Sequence, residues 1–562
     1  VTTHVTDDPT TGLDLLMVHA DDHEPALPSL PERAAYSSAE PVPDTSAAHL
    51  AAHSSDPDDL GLQRWGVIAP EGPRGDRLLA LIAPLIAKRE ADQGGHEPRI
   101  YRVPPQMSPE EAALWKKRVY DDQSSLTIEL PRYQLVLGDL HEVPLSLQQV
   151  QSIDGFVGRL AFDRDDDYAA YVDKVLRWES APAPHAEGRA VFHTVHDGTR
   201  ATQAGFASLV RPGMALARTY KDKGYFKADR IVESGDPLMP TAQGFLDAAT
   251  PDRPGVMLSV SHGQGPPRAG WASHEERLAG QGAMSFKREV IRGDDLRDAT
   301  FLPGGVWFML ACFGAGTPDR SAYWHWLKRL QSEGQFQGDI AGVLAGLPTA
   351  NERPFVAQVP KSVLASTNGP LAFIGHVDLA WTYGFRDLDD GAKDRPAKYL
   401  SLLHSALEGN RVGLAFDELF RYVHSTNSEL ATAADRAEED RARGLATSPD
   451  LARQAHLWML RNDLGAYVLL GDPAARLPIT RAGAQQVTAP TSPQAVSFGG
   501  APAPTATLPL PIERLEEAIC KVLLGDESPK AIAAEYGISR GELSDLAGRY
   551  QEAGRRALLG QG

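Results

Sequence analysis

The chain has 562 residues and only two cysteines, Cys312 and Cys520, too few for the disulfide framework of a small secreted domain. It also lacks positive charge: 56 Lys and Arg against 74 Asp and Glu give −18 at neutral pH. A protein that grips nucleic acid or an anionic membrane through its overall field needs the opposite sign. No apolar run approaches the roughly 18–20 residues of a membrane-spanning helix. The start, Val1 to Asp8, has neither the basic cluster nor the apolar stretch of a secretory signal. These absences set the expectation of a soluble, cytoplasmic protein. The 42% hydrophobic and 23% charged residues are enough for a folded core. At roughly 100–200 residues per domain, the length allows three to five units.

Residues 1–60 hold twelve acids against one base, Arg33, and so account for −11 of the −18. Seven prolines interrupt every candidate helix there, and only the stretch 13–18 has a foldable apolar pattern. A disordered acidic arm is expected. In 61–185, strands at 64–69 and 133–137 alternate with helices over 76–90, from the capping box Ser108-Pro109-Glu110-Glu111, and over 167–179. Pro84 should kink the first of these helices. Residues 186–480 repeat the alternation, with strands at 190–195, 255–260, 306–310 and 371–374 and helices near 200–218, 241–248, 320–332 and 395–408; 411–470 reads as largely helical. Such alternation means an α/β fold with a mostly parallel sheet. Residues 481–511, rich in Ala, Pro and Thr, read as a linker, and 512–562 as a small all-α module.

Two stretches carry chemistry. Ser261-His262-Gly263-Gln264-Gly265 directly follows the apolar strand at 255–260, and Ala311-Cys312-Phe313-Gly314-Ala315-Gly316 follows the one at 306–310. In an open parallel sheet, ligands gather beyond the carboxyl ends of the strands. If the two strands are neighbours, His262 and Cys312 leave the sheet at one edge. A thiolate is the nucleophile of acyl transfer, and an imidazole can take its proton and return it to the leaving amine. The N–H groups of Gly263 and Cys312 are candidate donors to the tetrahedral oxyanion. His and Cys stand 50 residues apart, as in caspases, and Ala311-Cys312-Phe313-Gly314 keeps three residues of the caspase Q-A-C-x-G pattern, with Leu310 in place of Gln.

On these residues the chain resembles gingipain-type cysteine peptidases of the caspase-like fold, with the CHAT peptidases as relatives. Tyr133–Leu137 with Gly138-Asp139, the run Val157-Gly158-Arg159-Leu160, the two motifs above, Val363-Leu364-Ala365-Ser366 and Leu470-Gly471-Asp472-Pro473 occur in the family's order over 62–478. The resemblance implies a three-layer caspase-like catalytic domain at 186–480 beside an α/β subdomain at 61–185. It implies a His262–Cys312 dyad, Gly263 as oxyanion donor and a protein or peptide substrate, with no cofactor. Asp197, after the strand at 190–195, is a candidate for the substrate pocket and would suit Arg or Lys; Asp378 and Trp381 are further pocket candidates.

Other signals are weaker. His193 and His196, three apart on a strand, face opposite sides and make a poor metal pair. Asp165-Asp166-Asp167 could attract calcium, but acids also favour a helix N-terminus for its dipole. Within 512–562, helix, Tyr536-Gly537-Ile538 turn and a second helix opened by Ser539 resemble a helix-turn-helix. That module holds nine acids against seven bases, which favours protein docking or self-association over DNA. The alternative to a peptidase is therefore a DNA-binding regulator, or a scaffold with an inactive caspase-like body.

Overall fold

The computed structural model describes residues 12–31, 33–34, 56–121, 130–180, 185–250, 253–334, 338–349, 352–387, 393–445, 450–481 and 536. Residues 1–485 form one compact unit and 486–562 another. The expected linker beyond 481 and the helix-turn-helix lie outside the described residues, apart from Tyr536, which is buried.

The first unit is built on one ten-stranded sheet. Its strands lie in the order Arg99–Val103, Trp65–Pro70, Tyr133–Leu137, Phe156–Leu160, Tyr467–Leu470, Ala372–His376, Val306–Leu310, Gly255–Val260, Gly188–Thr194 and Ala228–Ser234. The central strands are continuous apolar runs buried along their whole length, as strands covered on both faces must be. Tyr467–Leu470 runs parallel to Phe156–Leu160 but antiparallel to Ala372–His376. Two five-stranded parallel halves therefore meet at an antiparallel seam, and the sheet passes unbroken from 61–185 into 186–480. The seam strand falls in the stretch read as helical. Four apolar residues, Tyr467-Val468-Leu469-Leu470, are too short for periodicity to separate strand from helix, and sheet partners decide.

Local chemistry explains most of the remaining elements. The expected kink at Pro84 is a break: one helix spans Pro73–Leu81 and a second Ala83–Asp92, with Pro84 in its first turn, where a missing N–H costs nothing. At Ser108 the capping box forms, its hydroxyl accepting from Glu111 N (3.2 Å) and its own N–H donating to the Glu111 carboxylate (2.7 Å). Asp165, Asp166 and Asp167 open the helix Asp165–Glu179 and are engaged by Arg77, Arg164 and Arg297. Among the described residues, no three His, Cys, Asp or Glu side chains cluster as a metal site. Among them, too, no helix is long and apolar enough to cross a membrane.

The seam is tied by buried charge. Asp472, two residues past Tyr467–Leu470, accepts from Trp65 Nε1 (3.0 Å) and Arg89 Nε (2.8 Å). Arg89, with no exposed surface, also makes a two-pronged pair with Glu179 (2.7 Å each). The Tyr171 hydroxyl accepts from Asp472 N (2.7 Å) and donates to the Leu371 carbonyl (2.8 Å), linking the two halves.

One part of the expected arm is folded. Residues 12–31 and 33–34 pack on the sheet's carboxyl edge, with Leu13, Leu15, Leu16, Met17, Val18, Leu27 and Leu30 buried. Composition pointed to disorder because the acids outnumber bases locally. Their cationic partners are distant in sequence: Asp22 meets Arg268 (2.8 Å), Asp56 meets Arg481 (2.8 Å) and Asp58 meets Arg476 (3.1 Å).

Buried imidazoles make stability pH-dependent. Burial pushes His193 down to about 3, and burial with the Lys398 charge pushes His456 down to about 4. Both are neutral in the folded chain at pH 5 and largely charged in the unfolded one, whose histidines titrate near 6.5. The unfolded state then binds more protons, so stability falls as pH drops below 6.5. From pH 7 to 5 each should cost about 2 kcal/mol. Urea midpoints of wild type and His193→Phe should diverge, the variant losing the His193 share. Buried carboxylates raised by burial, such as Asp378, act with the opposite sign and cancel in that comparison. Equal pH slopes in the two proteins would contradict this account.

Candidate active site

Four neighbouring parallel strands end at one edge, and each delivers a candidate residue there. Gly255–Val260 and Val306–Leu310 pair in register, Val260 opposite Leu310. His262 and Cys312 thus stand two residues beyond one level of the sheet. Past Gly188–Thr194, on the other side of the histidine strand, comes Asp197; past Ala372–His376 come Asp378 and Trp381.

His262 is fully buried. Its Nε2 lies 2.8 Å from Thr199 Oγ1 and 3.5 Å from the Asp197 carboxylate. The Thr199 hydroxyl donates its single proton to Asp197 (2.8 Å), which also accepts from Thr199 N (2.9 Å) and Thr202 Oγ1 (2.7 Å). With that proton committed, Thr199 accepts from Nε2–H, an assignment made by the hydrogen-bond network. Nδ1 then holds the lone pair and, among the described residues, has no hydrogen-bond partner. Burial lowers the imidazole's pKa, opposed in part by the Asp197 charge and by the Leu16 backbone. A neutral ring with its lone pair on Nδ1 is the form of a general base.

Cys312 is also fully buried, and burial raises its thiol well above the ordinary value. The sulfur accepts from Ala380 N (3.2 Å), and its proton is directed at the Ala380 carbonyl (3.6 Å). Phe313, the next residue, takes φ +56°, a left-handed conformation costly for a bulky side chain, and its N–H is held by the Asp378 carbonyl (2.9 Å). Gly263 has no room for a side chain: a Cβ there would lie 1.9 Å from the Cys312 carbonyl oxygen. The two motifs therefore touch backbone to backbone.

Residues 12–18 run through this edge as an extended chain. Leu16 N donates to the Ala380 carbonyl (3.2 Å), Leu15 bridges antiparallel to Trp381, and Thr382 N donates to the Asp14 carbonyl (3.3 Å). Met17–Val18 then pairs parallel with His262–Gln264. At the crossover, the Leu16 carbonyl oxygen accepts from both Gly263 N (2.8 Å) and Cys312 N (3.1 Å). Two N–H groups on one carbonyl oxygen, beside a thiol and an imidazole, can stabilise a tetrahedral oxyanion.

The pocket candidates are distributed differently. Asp197 faces His262, with its Oδ1 committed to hydroxyls and an N–H. The Asp378 carboxylate is taken by Ala322 N and Leu379 N (2.8 Å each), so it braces the loops around Cys312. Trp381 is buried against Trp326 (5.2 Å between centroids) and receives its own brace from Asp463, whose Oδ1 accepts from Trp381 N (2.9 Å). His376, the last residue of the strand Ala372–His376, has its pKa lowered by burial but raised more by Asp463 and Asp378. Sequence reasoning missed Thr199, Asp463 and Leu16. Thr199 was within reach, two residues beyond Asp197 at a strand end; Asp463 lies on the helix Leu451–Gly465 and carried no local signal.

No family profile matches the chain, and no curated protein does. Among solved structures, the chain is similar to a protease (12% identity, TM-score 0.40, covering 74% of this chain and 78% of that one). It is also similar to the Arg-specific cysteine proteinase gingipain R (11%, 0.39, 74% and 78%) and to a complex of the pro- and mature domains of RgpB from Porphyromonas gingivalis (12%, 0.39, 74% and 79%).

Proposed function

We propose that the chain is a cysteine endopeptidase, with Cys312 as nucleophile and His262 as acid and base. The observation that carries this reading is the Leu16 carbonyl, received by the N–H groups of Gly263 and Cys312 beside the thiol and the imidazole. Because peptide continues on both sides of that carbonyl, the cleft suits cleavage within a chain rather than at its end. In the reaction, the Cys312 proton passes to Nδ1 of His262 and the sulfur attacks the carbonyl carbon. The oxyanion is held by the two N–H groups, and the imidazolium protonates the departing amine. Water then hydrolyses the thioester.

Asp197 acts as a positioning residue, holding the ring through Thr199 and supporting its charge. Asp197→Asn should lower kcat on the order of tenfold to a hundredfold with KM little changed. It should also move the pH limb set by His262 to lower pH, because the carboxylate raises that pKa. A kcat loss with an unmoved limb would contradict the role. The test of the reading itself is cleavage of an unfolded protein substrate by the full chain beside Cys312→Ala.

A further inference from the structure

Resting on that reading, we propose that residues 12–16 occupy the site as a substrate does, and so reveal its substrate class: peptides with an aliphatic residue before the cleaved bond and a carboxylate two residues earlier, read by Arg200. Three observations converge. The segment is pinned by its backbone on both sides of Cys312, antiparallel to 380–382 before the Leu16 carbonyl and parallel to 263–264 after it. That pairing assigns each residue to a fixed position, so Leu16–Met17 is the bond presented to sulfur.

The side chains then report the pockets. In an extended chain Leu16 and Asp14 point the same way. Leu16 has no exposed surface, so its aliphatic side chain is fully enclosed at this edge. Asp14 is 3% exposed; its carboxylate is hydrogen-bonded by Ser29 of the same 12–31 stretch and lies 3.8 Å from Arg200 Nε, which supplies the nearby positive charge. The segment is also clamped at its far side. Ala26 N donates to the Met17 carbonyl (3.0 Å), the Trp326 indole donates to the Ala34 carbonyl (2.9 Å), and Leu13 pairs with Leu30. An occupant held this way competes with any other peptide.

The experiment measures kcat/KM of the full chain on dye-capped tetrapeptides of the sequence Leu-Asp-Leu-Leu, with Arg replacing the last residue or Lys replacing Asp. Wild type is compared with Leu16→Glu, which places a charge in the apolar pocket, and with Asp14→Arg, which repels Arg200; circular dichroism melting checks that each folds. Both variants should turn over the parent peptide at least tenfold faster than wild type. In the Leu16→Glu background the parent peptide should be cleaved at least tenfold better than either altered one, and Arg200→Glu should reverse the Asp-over-Lys preference. Cys312-dependent cleavage that prefers Arg, ignores Arg200 or is unchanged by both segment variants overturns this inference and leaves the peptidase reading intact. No cleavage of any peptide by any folded variant, with Cys312 unlabelled by a peptidyl electrophile, overturns both.

Discussion

Cys312→Ala should reduce peptide hydrolysis by a thousandfold or more, on the order of what removing a covalent nucleophile costs a peptidase. The size of the effect follows from the division of labour at the edge of the sheet. Gly263 and Cys312 supply backbone N–H donors that survive the substitution, and His262 keeps its Thr199 and Asp197 contacts. What disappears is the sulfur, and with it the acyl-enzyme on which the proposed mechanism depends. The fold should tolerate the change: the thiol fills a small volume, and its losses are an N–H···S contact at 3.2 Å and a long S–H···O contact at 3.6 Å. Activity measured in the Leu16→Glu background, with thermal melting to confirm folding, separates loss of chemistry from loss of structure. Activity within tenfold of the parent would remove Cys312 from the mechanism.

The largest stability effect is expected far from the cleft. Arg89→Met removes the guanidinium that satisfies Asp472, Glu179 and Asp92. Asp472 is completely buried and Glu179 nearly so, so the variant strands Asp472 without its cation and leaves Glu179 only Lys88, 3.6 Å away, in an environment that hydrates neither. Breaking such a pair from one side costs about 3–5 kcal/mol, because desolvation was already incurred and its compensation is gone. A urea titration at pH 7 should show the midpoint falling accordingly. The loss should shrink on acidification: burial raises the Glu179 carboxyl and Arg89 is the main group holding it down, so without Arg89 it takes up a proton at higher pH. A midpoint shift equivalent to less than about 1 kcal/mol would mean that the seam does not depend on this network.

The strands Gly255–Val260 and Val306–Leu310 were legible because an apolar run bounded by glycine-rich turns has little alternative in an α/β chain. Their adjacency was not in the sequence, yet the equal offset of His262 and Cys312 from the strand ends anticipated it. The ten-stranded continuity was hidden by Tyr467–Leu470, a run whose identity is set by partners hundreds of residues away. Residues 12–34 misled for a related reason. Local acidity reads as disorder, while Asp14 and Asp22 find Arg200 and Arg268 only in three dimensions. Asp197 was expected as a substrate-pocket residue; its carboxylate lies 3.5 Å from His262 and is held by Thr199 and Thr202, contacts that no local sequence signal announces.

The most direct test of a His262–Cys312 peptidase is intact-mass analysis after reaction with a peptidyl acyloxymethyl ketone carrying Leu-Asp-Leu-Leu, applied to the Leu16→Glu chain with and without Cys312→Ala. The account predicts one adduct per chain, mapped to Cys312, lost in the alanine variant and slowed at least tenfold by His262→Ala. An adduct that persists undiminished without Cys312 would contradict it.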